Sequence, residues 1–89
     1  MTESFKKAAE EVKTLKTRPS DKEVNALYGL YKQATIGDID SATARPASFH
    51  IIARRKWDSW TEKKGMSKEE AMAAYVDVVE KLKTKQNIK

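Results

Sequence analysis

Ser20-Asp21-Lys22-Glu23-Val24-Asn25-Ala26-Leu27-Tyr28-Gly29-Leu30-Tyr31-Lys32-Gln33-Ala34-Thr35-Ile36-Gly37 is the stretch from which the architecture can be read. Ser20, with Glu23 three residues on, makes a capping box, in which each side chain serves the other's orphan backbone amide at a helix start. Val24, Leu27, Leu30, Tyr31 and Ala34 follow at helical spacing. Gly37 is placed to close the helix, because glycine takes the left-handed cap without strain. The stretch reads as one amphipathic helix.

Working outward, three more segments carry the same period. Upstream, Phe5, Ala8, Ala9, Val12 and Leu15 form an apolar stripe backed by Lys and Glu, expected to stop before Pro19. Downstream, residues 37–49 break every pattern with Gly, Pro, Ser and Asp. They read as a loop, and at about a dozen residues such a loop is commonly functional. A third helix is expected from about Phe49 to Lys64, with Phe49, Ala53, Trp57 and Trp60 on one face and Gly65 at its end. Ser67 and Glu70 make a second capping box. Met72, Tyr75, Val76, Val79 and Leu82 stripe the last helix, and the polar tail from Lys83 is expected to fray. No segment alternates as a strand does, and no repeat or linker divides the chain. The reading is a single all-α domain spanning residues 1–89, four helices with one long loop between the second and third.

Composition bounds the function. With 89 residues, 39% hydrophobic and 35% charged, the chain buries only about 60–65% of its unfolded surface, so its core must be lean. No apolar run approaches the ~18–20 residues that span a bilayer. A secretory signal is not expected, since Met1 leads into the mixed-charge stretch Glu3 to Lys7. Zero cysteines exclude disulfides, thiolate metal sites and thiol catalysis, and favour a cytoplasmic setting. A net charge of +5 points to an anionic partner, phosphate being the commonest.

Catalysis and metal binding find little footing. His50 is the single histidine, no serine sits in a nucleophile elbow, and the carboxylates lie mostly near lysines on helix surfaces. No catalytic residue, metal ligand or cofactor is expected. Cations and aromatics carry the stronger signal. Between Ser41 and Trp57 there is no acidic residue, yet Arg45, Arg54, Arg55 and Lys56 all fall there. Tyr28, Tyr31 and Lys32 lie within about one helical turn, and Tyr75 adds a third phenol on the last helix. Such groups can stack a base and grip phosphate; the same residues also suit tyrosines in a core with lysines in water. Three classes remain open on these grounds: a carrier of a nucleotide-bearing small molecule, a nucleic-acid module and a membrane-surface helix. A nucleic-acid module would show a basic stripe along one helix. Here the basic residues of the first and last helices alternate with Glu, and no segment has the polar face of Lys and Arg alone that a membrane-surface helix would show, so the small-molecule reading leads.

The run Tyr28-Gly29-Leu30-Tyr31-Lys32-Gln33-Ala34-Thr35-Ile36-Gly37-Asp38 closely resembles the signature Tyr-x-x-Tyr-Lys-Gln-Ala-Thr-x-Gly-Asp of the acyl-CoA-binding protein family. Lys56-Trp57-Asp58-Ser59-Trp60, Gly65-Met66-Ser67-Lys68-Glu69-Glu70-Ala71-Met72 and Phe5-Lys6-Lys7-Ala8-Ala9-Glu10-Glu11-Val12 are similar to further family motifs, in the same order. The resemblance implies an up-down-down-up four-helix bundle that binds medium- and long-chain acyl-CoA esters in a bowl-shaped site. It implies that Tyr31 stacks on adenine and that Tyr28, Lys32 and Lys56 surround the ribose 3′-phosphate. Tyr75 would touch the ligand from the last helix and Lys13 from the first, with Trp57 and Trp60 mainly packing. Arg54, Ile52, Leu30, Gly29 and Asn25 stand at further candidate positions. As partners it implies acyl-CoA esters and the enzymes that make and use them, with no nucleic acid, no stable membrane insertion, and a monomeric state.

Three positions depart from the family pattern. The loop before Arg45-Pro46 is two residues longer than usual, Ile52 falls where many members carry a lysine, and Asn25 replaces a residue commonly apolar near the acyl tail. The alternative expectation is a structural or interaction module of the same fold that binds no ligand.

Overall fold

The computed structural model describes residues 2–40 and 42–87. It holds four helices: α1 (Glu3–Glu11), α2 (Asp21–Thr35), α3 (Ile51–Glu62) and α4 (Lys68–Asn87), with a single 3-10 turn at Val12–Thr14 after α1. No strand occurs among the described residues. Both capping boxes form. Ser20 Oγ accepts from the Glu23 amide at 3.2 Å while Glu23 Oε1 accepts from the Ser20 amide at 2.8 Å. Ser67 and Glu70 repeat the exchange at 3.0 and 3.1 Å. Gly37 follows the end of α2 at φ +98°, a backbone conformation that side chains oppose.

Amphipathic stripes decide which helices meet. Phe5 and Ala8 of α1, Leu27, Leu30 and Ala34 of α2, and Ala71, Tyr75, Val79 and Leu82 of α4 form one buried cluster. α4 and α2 make its centre, α1 lies on α4, and α3 packs on α2. No residue of α3 is fully buried; it is held instead by close approach and by polar ties. A Cβ placed on Gly29 would stand 2.5 Å from the Ser59 carbonyl oxygen, so only glycine lets α2 and α3 come this near. Backbone cannot rotate away as a side chain can. Gly29→Val is therefore expected to lower unfolding free energy by about 1–3 kcal/mol through overpacking, read as a lower urea midpoint.

Polar ties fix the loop between α2 and α3. Gln33 is fully buried, and its Nε2 donates to Asp38 Oδ1 at 2.8 Å and to the Met66 carbonyl at 2.7 Å. Asp38 Oδ1 also accepts from the Gly65 amide at 2.8 Å. That bond, then the one from Gln33, holds the Asp38 carboxyl below its ordinary range. Trp60 Nε1 donates to the Gly37 carbonyl at 2.8 Å, and Arg45 grips Asp58 through two bonds of 2.9 and 2.7 Å. Ile39 of this loop is buried, while Ser41 lies outside the described residues.

Three expectations from the sequence need correction. α1 ends at Glu11 instead of running through Leu15: Thr14 Oγ1 donates to the Glu11 carbonyl at 2.9 Å, and the chain tightens into a 3-10 turn. α3 is shorter at both ends than Phe49 to Lys64. Phe49 lies in a turn closed by the His50 amide on the Ala47 carbonyl, so Phe49 and Ala53 are exposed and only the two tryptophans of that face are partly covered. The tail does not fray at Lys83. α4 continues to Asn87, with Lys83 bonded to Glu11 at 2.8 Å and Lys85 near Glu23 at 3.8 Å.

Candidate functional site

A cleft of about 400 Å³ opens between the end of α1 and the facing sides of α2 and α4. Its aromatic lining is Tyr28, Tyr31 and Tyr75, its apolar lining Val12, Pro19, Val24 and Leu27, and its cation Arg18. Helical spacing explains the wall. Val24, Leu27, Tyr28 and Tyr31 recur at i, i+3, i+4, i+7 and so share one face of α2. Phe5 underlies the rings, stacked on Tyr31 with centroids 5.6 Å apart and edge-on to Tyr75 at 5.1 Å. Tyr31 stays 40% exposed, so the residue is not closed off by the Phe5 and Tyr75 rings beside it. Tyr75 is buried, and burial, aided by the neighbouring Tyr31, pushes its phenol up from the ordinary value. It therefore remains a neutral hydroxyl.

Beside this cleft two ammonium groups converge on one ring. Lys32 Nζ lies 5.8 Å from the Tyr28 centroid and 5.7 Å from that of Trp60, and Lys56 Nζ, from α3, lies 5.3 Å from the Tyr28 centroid. Cation–π attraction to the phenol offsets part of their mutual repulsion. No carboxylate among the described residues makes an ion pair with either. Such a pair of uncompensated cations carries the charge that a phosphate needs.

The structure thus brings together Tyr28, Tyr31, Lys32, Lys56 and Tyr75, three helices' worth of expected site residues. Others lie apart. Lys13 sits in the exposed 3-10 turn, 3.6 Å from Glu10, and does not line the cleft. Leu30 belongs to the buried core and Gly29 to the α2–α3 contact. Asn25 lines a second cleft of about 530 Å³ between α2 and α3, with Lys22, Arg55 and Glu62. Ile52 is exposed near the start of α3, and Arg54 is half-buried near Asp58. Arg18 lines the cleft although nothing in the sequence singles it out; the available signal is a cation beside Pro19, before which the first helix is expected to stop. Among the described residues no cluster of three or more His, Asp or Glu could hold a metal ion.

The model of the family described as "Acyl CoA binding protein" matches residues 2–79. The chain belongs to the acyl-CoA-binding protein family. It is 50% identical over 82 residues to Acyl-CoA-binding protein homolog 1 of Caenorhabditis elegans, covering 92% of this chain and 93% of that one. The crystal structure of Oryza sativa Acyl-CoA-Binding Protein 2 superimposes with a TM-score of 0.89 at 44% identity, over 97% of this chain and 91% of that one. An acyl-CoA-binding protein from Moniliophthora perniciosa gives 0.87 at 32% identity, over 100% and 87%. The all-α, up-down-down-up bundle expected for the family is the fold observed.

Proposed function

We propose that this member of the family binds medium- and long-chain acyl-CoA esters and serves as a cytoplasmic, monomeric, non-enzymatic carrier and pool former for them. The observation that carries the reading is the pair Lys32 and Lys56 on the Tyr28 ring, beside an apolar cleft floored by aromatics. A CoA ester joins a nucleotide with an added phosphate to an apolar tail, and this surface offers a counterpart to each part. Tyr31, partly exposed, offers its ring to adenine, the two lysines face the ribose 3′-phosphate, and Tyr75 donates a neutral hydroxyl. Val12, Pro19, Val24 and Leu27 give the tail an apolar wall, which keeps a detergent-like thioester from water and membranes. Arg18 adds a third cation at the rim.

Tyr31→Ala should weaken palmitoyl-CoA binding by about 1–3 kcal/mol, the scale of one base–aromatic stack. The ring is partly exposed, so the bundle stays folded. Lys56→Ala should weaken binding too, and more at low salt, where the lost countercharge is least screened. Titration calorimetry on the two variants reads both effects. If both bind palmitoyl-CoA like the parent, the assignment of these residues is wrong.

A further inference from the structure

The cleft between α1, α2 and α4 is lined by one charged side chain, and that side chain stands far from the lysine pair. Val12, Pro19, Val24, Leu27 and the three tyrosines carry no charge, which leaves Arg18. Arg18 comes just before Ser20, the N-cap of α2, whereas Lys32 lies in the last turn of the same helix. At 1.5 Å per residue, the helix from Ser20 to Lys32 spans about 18 Å. Between these two ends run Leu27 and Val24, part of the apolar wall.

No carboxylate of the protein answers this guanidinium. Arg18 is exposed and makes no ion pair among the described residues. The acids close to it in sequence have other places. Glu23 accepts from the Ser20 amide at 2.8 Å and lies 3.8 Å from Lys85, while Asp21 lines the second cleft, between α2 and α3. A guanidinium is always charged, and its planar fork of donors matches a carboxylate through two parallel bonds.

The head group of a CoA ester does not supply the missing anion. Its diphosphate is carried on the same ribose as the 3′-phosphate, so a head group seated at Lys32 and Lys56 keeps its negative charge at that end. The part of the ligand that runs along Leu27 and Val24 is the acyl chain, and Arg18 stands where the chain's far end emerges. A hydrocarbon end gains nothing from a guanidinium, whereas a carboxylate does. We infer that Arg18 is a specificity residue through which the cleft accepts acyl-CoA esters ending in a carboxylate, the half-esters of long-chain dicarboxylic acids. Their methylenes lie on the apolar wall, and the terminal carboxylate stays at the rim, where water and Arg18 share it. An ionised carboxylate is costly to bury, and an exposed rim avoids that cost. This assignment rests on the proposed function, which seats the head group at the lysine pair.

Titration calorimetry with two ligand series tests it: dodecanoyl-, tetradecanoyl- and hexadecanoyl-CoA, and the same chains ending in a carboxylate. The parent is compared with Arg18→Met and Arg18→Lys. Methionine keeps an unbranched, flexible stem and removes the charge. Arg18 is exposed, so both variants should fold, and their thermal midpoints without ligand check this. At one chain length or more, Arg18→Met should weaken the carboxylate-ended ester about three- to fivefold beyond any effect on its methyl-ended partner. That is the upper range for an exposed ion pair, as two parallel bonds allow. Arg18→Lys should recover part of the difference. Equal weakening of both series at every length would place Arg18 with the head group and overturn the inference. So would carboxylate-ended esters that the parent fails to bind at any length. If the parent binds neither series, the proposed function fails too; if methyl-ended esters bind and Arg18→Met discriminates at no length, the inference alone fails.

Discussion

Phe5→Ala is expected to lower the unfolding free energy by about 3–5 kcal/mol, the cost of a cavity where a buried aromatic ring stood. Phe5 is 1% exposed and packs against Tyr31 and Tyr75 at once. Small domains have only about 5–15 kcal/mol in total, so the loss takes a large share of the fold's stability. Ligand affinity should fall as well, although Phe5 does not line the cleft, because the two rings above it lose their support. Urea unfolding gives the first effect and calorimetry at a temperature where the variant is folded gives the second. A loss under ~1 kcal/mol would contradict the close packing that places Phe5 beneath both rings.

The second large effect is stabilisation by the ligand itself. A molecule that binds only the folded chain adds about 4 kcal/mol when its free concentration is 1,000 times the dissociation constant. For a domain of this size the thermal midpoint moves by roughly 4–8 °C per kcal/mol. Palmitoyl-CoA should therefore raise the midpoint strongly, and free CoA at the same concentration much less, since it leaves the apolar wall uncovered. Differential scanning fluorimetry reads the shift directly. A midpoint unmoved at saturating palmitoyl-CoA would favour a module of this fold that binds no such ligand.

Much of the scaffold was legible because it rests on local chemistry. Ser20 with Glu23 and Ser67 with Glu70 announce helix starts by residue type alone, and both boxes form as read. The stripes on α2 and α4 name most of the core for the same reason. What escaped depends on partners distant in sequence. Lys83 extends α4 because Glu11, on another helix, meets it. Gly29 reads as a weak spot within a helix until Ser59 is seen against it. Phe49 and Ala53 fit a helical face on paper, yet only its two tryptophans meet neighbours: the chain is still in a turn at Phe49, and Ala53 is exposed. In the candidate site, the resemblance named Tyr28, Tyr31, Lys32, Lys56 and Tyr75, and the fold collects them. Arg18 and the displacement of Lys13 from the cleft depend on where α1 gives way to its 3-10 turn, and no periodicity marks that point.

Dissociation constants for free CoA, octanoyl-CoA and palmitoyl-CoA, measured by calorimetry on the unmodified chain, test most directly whether head group and tail are bound together. Each methylene moved from water to an apolar wall contributes up to ~0.8 kcal/mol. Affinity should thus climb steeply from free CoA through octanoyl-CoA to palmitoyl-CoA, flattening once added carbons pass beyond the wall of Val12, Pro19, Val24 and Leu27. Three constants that agree within about threefold, less than the value of one methylene, would contradict an acyl-CoA carrier and leave only a nucleotide site.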